Sequence, residues 1–95
     1  MKELNLIIKK GTKSFKQIER GTRAYIYKVT DTETDHVYYE VFERRFNRRF
    51  NCISYPTDRA FGKWAWCISR GENHITAFEE ALKRFNFING LKQVA

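Results

Sequence analysis

The fold is decided by residues 24–43, in which AYIYKVT and HVYYEVFE flank the polar stretch DTETD. Both flanking segments are rich in aromatic and β-branched residues, which suit the pleated surface of a strand. A polar turn between two such segments is typical of an antiparallel hairpin. We therefore predict strands at 24–30 and 36–43 joined by a loop at 31–35, with apolar or aromatic residues on both faces of each strand.

Segments on either side of this hairpin extend the predicted sheet. Residues 1–12 form either a loosely held N-terminal arm or a short strand. Residues 12–20 fit either the start of a helix, with a capping box, or an edge strand. Beyond the hairpin, residues 49–55 and then 63–69 are predicted to be further strands.

The C-terminal part of the chain carries the pattern of an amphipathic helix, predicted over about 74–88. Asn73 or a capping box at Thr76 and Glu79 would begin the helix, and Asn89 followed by glycine would end it. The apolar residues recur at intervals of three and four, at Ile75, Phe78, Leu82, Phe85 and Ile88.

Together these elements predict an α+β fold: a four- or five-stranded antiparallel meander with one C-terminal helix packed on one face. The chain of 95 residues is expected to form a single domain over 1–95. One helix covers about one face of a sheet. The other face is therefore predicted to meet water, a ligand or another chain.

Composition and motifs argue against several classes of protein. No stretch approaches the roughly 18 apolar residues of a membrane span, and no signal peptide is evident, so a cytoplasmic protein without membrane contact is expected. Cys52 and Cys67 are predicted to be reduced and buried, and their spacing from the histidines is not that of a zinc site. Nucleotide-binding and metalloprotease motifs are absent, so we expect no enzyme, no cofactor and no small-molecule substrate.

The net charge of +7 is concentrated in the run RRFNRRFN at 44–51, where four arginines lie within six residues. Such a run attracts phosphates, which arginine binds bidentately. Phe46 and Phe50 would stack on bases beside them, because every base has a π-face. The alternative is a solvated turn whose two phenylalanines belong to the core.

The stretch KWAWCI at 63–68 is the second candidate for contact with bases. Trp64 and Trp66 alternate with Ala65 and Cys67, whose small side chains would let a helix pack closely. The tryptophans are therefore predicted to share the sheet face away from the helix. The opposite arrangement would bury both tryptophans in the core.

YYEVFERRFNRRFNCI at 38–53, followed by ITAFEEAL at 75–82, resembles a PUR-type repeat. The repeat of that family is a β-β-β-β-α unit that binds single-stranded DNA or RNA, and two units intertwine through their helices. The resemblance covers the layout of residues 23–88, and it implies a packing or dimerisation role for the helix. It also implies a group of residues near the nucleic acid: Arg45, Arg48, Arg49 and Phe50.

The predicted function is that of a small basic protein that binds nucleic acid, preferably single strands. The alternative is a protein-binding adaptor or inhibitor of the phage or mobile-element accessory type, acting as a homodimer. The residues expected to neutralise phosphates are Arg44, Arg45, Arg48, Arg49, Arg59 and Lys63. Those expected to stack on bases are Phe46, Phe50, Trp64 and Trp66.

Overall fold

The computed structural model describes residues 3–70 and 73–90, and it has the predicted α+β fold. One helix, α1, spans His74–Ile88. The strands are β1 at Ile7–Lys10, β2 at Lys13–Arg20, β3 at Ala24–Asp31, β4 at Val37–Glu43, β5 at Phe46–Asn47, β6 at Cys52–Ile53 and β7 at Ala65–Ile68. The main sheet has five antiparallel strands in the order β1-β2-β3-β4-β7, while β5 and β6 form a separate pair. No helix in the described part of the chain is long and apolar enough to cross a membrane.

The hairpin of β3 and β4 lies near the centre of the main sheet, and its register places Tyr25 opposite Phe42 and Val29 opposite Tyr38. The segment at 12–20, for which the sequence left two alternatives, forms β2. This strand is an interior strand rather than an edge, because β1 pairs with its outer side. The predicted arm or short strand at the N-terminus thus contributes β1, the edge of the sheet.

Residues 44–64, which we term the basic segment, depart from the predicted meander. Residues 49–55 do not join the main sheet, and only Cys52–Ile53 pairs there, with Phe46–Asn47. The basic segment instead folds across the sheet face opposite α1, where Ile53 and Ala60 are buried in a core with the sheet residues. That core holds Phe15, Tyr25, Tyr27, Val29 and Phe42.

Both faces of the sheet are therefore covered over its centre, and the expectation that the second face is left for water, a ligand or another chain is wrong. The physical reason is the size of the aromatic surface on that face. Tyr25, Tyr27 and Phe42 are all fully buried, and leaving their rings in water would cost about 1.5–3 kcal/mol for each large apolar side chain.

The helix packs on the other face, against a core that includes Ile26 and Val41. Ala77 and Ala81 are almost fully buried, and their small side chains bring the helix close to the sheet. Asn73 is the N-cap, because its side-chain oxygen accepts a hydrogen bond from the Thr76 backbone N–H at 3.1 Å.

The two tryptophans lie on opposite sides of the sheet, so the prediction that they share the face away from the helix is wrong. Trp66 pairs opposite Val41 on the helix side, whereas Ala65 and Trp64 pack in the core beneath the basic segment. Because β7 begins at Ala65, the alternation of a strand does not extend back to Trp64. Both tryptophans are half-buried.

The two cysteines are free, as expected, but their predicted burial is wrong. Cys52 is half-buried in β6 and Cys67 is exposed on β7. Cys67 lies on an edge strand of the sheet, which explains its exposure.

Candidate nucleic-acid interface

The most exposed part of the basic segment is the turn that joins β5 to β6. The Asn47 side-chain oxygen accepts hydrogen bonds from the backbone N–H groups of Arg49, at 3.0 Å, and Phe50, at 3.4 Å. Asn51 completes the reversal with a φ of 50°, in the left-handed region that Asn tolerates. The tip formed by Arg48, Arg49 and Phe50 is exposed to solvent as a group.

The aromatic rings of this hairpin are on the surface. Phe46 is 45% exposed and Phe50 is 67% exposed, so the alternative that both belong to the core is wrong. The Arg49 guanidinium carbon lies 5.4 Å from the centroid of the Phe50 ring. The tip therefore presents a positive charge and an open aromatic ring side by side.

A second pairing of arginine with an aromatic ring lies at the base of the hairpin. The Arg45 guanidinium carbon is 4.9 Å from the ring centroid of Trp64. Arg45 also approaches the Glu43 carboxylate at 3.6 Å, but its side chain stays about half exposed. A planar guanidinium held over an indole is attracted by the ring quadrupole, and it leaves its outer edge available to an anion.

Arg44 is neutralised within the fold. Its guanidinium donates two hydrogen bonds to the Glu3 carboxylate, which also accepts one from the Tyr25 hydroxyl. These two partners lower the pKa of Glu3 below its ordinary value. Arg44 thus fastens the N-terminal residues to the start of the basic segment, and the exposed arginines of the run are Arg45, Arg48 and Arg49.

The remaining predicted contacts divide between the two sides of the sheet. Arg59 belongs to a short 3-10 helix at Asp58–Ala60, and Lys63 follows it in a turn. Both side chains are exposed on the basic segment. Trp66 lies apart from them, on the helix side, where the Arg84 guanidinium carbon is 4.6 Å from its ring centroid.

An anchor that the sequence reasoning missed holds the basic segment on the sheet. The Tyr55 hydroxyl donates a hydrogen bond of 2.5 Å to the carboxylate of Glu40, a buried acid on β4. The Tyr55 ring meets Phe42 edge to face, with 5.0 Å between centroids. A sequence signal for this anchor exists, since Glu40 alternates with Tyr38 and Phe42 and therefore shares their apolar face.

Burial changes the pKa values of both Glu40 and Tyr55. Desolvation raises the pKa of Glu40, although its hydrogen bond to Tyr55 and the nearby Lys10 and Lys13 oppose the rise. Burial and the adjacent Glu40 carboxylate raise the pKa of the Tyr55 hydroxyl. The proton therefore stays on Tyr55, which remains the donor of the hydrogen bond.

Within residues 3–70 and 73–90, no three His, Cys, Asp or Glu side chains come together in a group that could hold a metal ion. Comparisons with protein-family models, curated proteins and solved structures find no match for this chain.

Proposed function

We propose that this protein binds nucleic acid, with a preference for single strands, through the tip of the basic segment. The observation that carries the proposal is the exposure of Arg48, Arg49 and Phe50 on one turn. A ring that is two-thirds exposed at the end of a hairpin contributes little to the core. A base stacked on that ring would remove its apolar surface from water.

The chemistry of the tip suits a single strand better than a duplex. Bases in a duplex are already stacked and paired, whereas those of a single strand can stack on an aromatic side chain. The two arginines would neutralise the phosphates on either side of the stacked base. Stacking of this kind tolerates any base, so we propose weak sequence preference.

Other exposed groups of the basic segment would extend this contact. Arg45 over Trp64 offers a third guanidinium, and Arg59 and Lys63 add two further exposed cations. The resemblance to a PUR-type repeat also supports the proposal, since it implies a nucleic-acid contact at the same tip. Arg44 takes no direct part in the contact that we propose, because Glu3 already neutralises it.

The test is to measure binding of a labelled single-stranded oligonucleotide by fluorescence anisotropy across a salt series. We expect the logarithm of the binding constant to fall linearly with the logarithm of the salt concentration, because binding releases counterions. Replacing Arg48 and Arg49 by Ala should reduce the slope by roughly 0.7 for each phosphate that is no longer neutralised. A duplex of the same sequence should bind more weakly.

The matched control removes two adjacent cations from α1, by replacing Lys83 and Arg84 with Ala. Both are exposed and lie on the helix, away from the basic segment. This control variant should keep the salt slope of the wild type. Absence of binding at low salt, or an equal reduction of slope in both variants, would contradict the proposal.

The second candidate function is that of the homodimeric adaptor or inhibitor. It is favoured by the exposure of Ile75 and Phe87, two large apolar residues on α1. Light scattering that gives a dimer mass, together with no oligonucleotide binding at low salt, would support this function instead.

A further inference from the structure

The helix covers only part of its sheet face. It packs against β3, β4 and β7, and it leaves most of the same face of β1 and β2 open. Ile18 is the residue of β2 that packs against the helix-side core. The uncovered area is therefore a surface of the main sheet, on the side opposite the basic segment.

Lysines dominate this open area. The strand register places Ile7, Lys16 and Lys28 directly opposite one another in a single row, which continues to Tyr39 and Ile68 beneath α1. Residues directly opposite each other in antiparallel strands project from the same face. Lys16 and Lys28 are therefore neighbours on the helix side.

The next row along the strands contains Lys9, Ser14 and Thr30, again directly opposite one another. Lys9 and Lys16 are exposed and Lys28 is half-buried. We use the term lysine rows for the surface made by Lys9, Lys16 and Lys28.

The lysine rows carry uncompensated charge. None of their three ammonium groups forms an ion pair with a carboxylate of the described residues. Among the exposed acids, Glu19 lies opposite Ile26 in the neighbouring row of β2, and Glu79 of α1 lines a pocket together with Tyr39 of β4. Like charges directly opposite each other destabilise a sheet, so the Lys16–Lys28 pair costs stability in the free protein.

Lys10 and Lys13, on the other face, are also directly opposite each other, but they differ in their surroundings. The Lys10 ammonium lies 5.0 Å from the Tyr55 ring centroid, and that of Lys13 lies 5.7 Å from the Tyr38 ring centroid. Those two charges are held over aromatic rings by the fold. Among the described residues, the charges of the lysine rows have no such partner, and they are available to an external anion.

We propose that the lysine rows are a second phosphate-binding surface whose partner is the sugar–phosphate backbone of a nucleic acid. This inference rests on the proposed function and adds a contact on the opposite side of the sheet. The hydroxyls of Ser14 and Thr30 lie in the same rows and supply uncharged donors of the kind that bind phosphate oxygens. The rows contain no aromatic residue on β1 or β2, so this surface would bind the charged phosphates and would not stack on bases.

The two surfaces therefore have different tasks. The tip stacks on a base and binds the adjacent phosphates, while the lysine rows bind backbone alone. Because the sheet separates them, a strand bound at one surface leaves the other free for a second segment. The protein would then hold two segments of nucleic acid on opposite faces.

The decisive variant replaces Lys16 and Lys28 with Gln, and its matched control replaces Lys10 and Lys13 with Gln. Both variants remove two charges from the same part of the sheet, but from opposite faces. In the oligonucleotide salt series, K16Q/K28Q should lower the slope by roughly 0.7 for each lysine, while K10Q/K13Q should leave it unchanged. The melting temperature of K16Q/K28Q should also rise, because the like-charge pair is gone.

A tip variant separates this inference from the proposed function. With Arg48, Arg49 and Phe50 replaced by Ala, the protein should retain a weaker, salt-dependent binding, and adding K16Q/K28Q should lower its salt slope further. An unchanged slope in K16Q/K28Q overturns the second surface even if the tip variant loses affinity. A lower slope in K16Q/K28Q with normal binding by the tip variant supports the second surface and contradicts the proposed tip.

Two further outcomes would overturn the inference. One is an equal reduction of the salt slope in K10Q/K13Q, which would show that the slope depends on the net charge of the protein and not on the lysine rows. If K10Q/K13Q does not fold, K83Q/R84Q serves as the control in its place. The other is that the protein binds vesicles containing phosphatidylserine through Lys16 and Lys28, while K16Q/K28Q leaves the salt slope of oligonucleotide binding unchanged. That result would assign the surface to a membrane rather than to a nucleic acid.

Discussion

Replacing Phe50 with Ala should weaken nucleic-acid binding while leaving the fold nearly intact. Phe50 is 67% exposed at the tip, and Phe87 on α1 is 74% exposed, which makes Phe87→Ala a matched control. The two positions lose the same ring from similarly open surroundings. Only the first lies in the proposed interface.

The effect on stability follows from the buried area. A phenylalanine offers about 200 Å² of surface, so about 65 Å² is buried at position 50 and about 50 Å² at position 87. At about 25 cal/mol per Å², the two substitutions remove at most about 1.6 and 1.3 kcal/mol from the free energy of unfolding. Urea unfolding should therefore report two small and nearly equal losses.

The effect on binding should differ between the two variants. Loss of one base–aromatic stack costs about 1–3 kcal/mol, which corresponds to a dissociation constant roughly 5- to 150-fold higher for Phe50→Ala. Phe87→Ala should bind like the wild type. Fluorescence anisotropy with a short single-stranded oligonucleotide at one salt concentration measures both.

Unchanged affinity in Phe50→Ala would exclude the proposed base stack, because an exposed ring that no base covers has no part in the contact. An equal loss in Phe87→Ala would refute it as well, since it would show that binding depends on general surface apolarity or on stability. The salt slope should stay the same in both variants, because neither substitution removes a charge.

Three predictions concern the stability of the fold and are measured by urea or thermal unfolding. Glu3→Gln should lower the free energy of unfolding by about 1 kcal/mol, because it eliminates the ion pair with Arg44. Because the fold lowers the pKa of Glu3, this stabilisation is present above the ordinary carboxyl pKa and is lost as the pH falls through the lowered pKa. If Glu3→Gln destabilised the protein equally at all pH values, that result would contradict the ion pair. Burial raises the pKa of Glu40, so the wild type should lose stability as the pH rises from the ordinary carboxyl pKa through the raised one. Glu40→Gln, which retains an acceptor for Tyr55, should lack this loss, and an unaltered pH profile would count against a buried charge. Asn73→Ala should cost about 1 kcal/mol by removing the N-cap of α1, and no change in melting temperature would exclude that role.

The elements that the sequence predicts best are those set by neighbouring residues. The strands of the hairpin at 24–43 and the helix His74–Ile88 lie where the periodicity places them. Period two and period 3.6 are local properties, because each is read within a few residues of the same chain segment. The segment at 12–20 lacked a clear period, and only its pairing between β1 and β3 decides that it is a strand.

The candidate site was predictable in its charge and less so in its arrangement. The run of arginines and the two phenylalanines at 44–51 are visible in the sequence, and the structure exposes Phe46 and Phe50 as the stacking hypothesis needs. The ion pair between Arg44 and Glu3 was not predictable, because the two residues are 41 positions apart. Trp64 and Trp66 divide between the faces because the strand begins at the residue between them.

The class of fold, the central hairpin, the helix and the concentration of positive charge at 44–51 could all be predicted from the order of the residues. Only the tertiary structure decided that the basic segment covers the second face of the sheet. It also decided that Glu40 anchors that segment through Tyr55, and that Lys16 and Lys28 lie opposite each other without an ion-pair partner among the described residues. The physical reason is that strand and helix patterns arise from adjacent residues, whereas the burial of a face and the pairing of charges depend on segments that are distant in the chain.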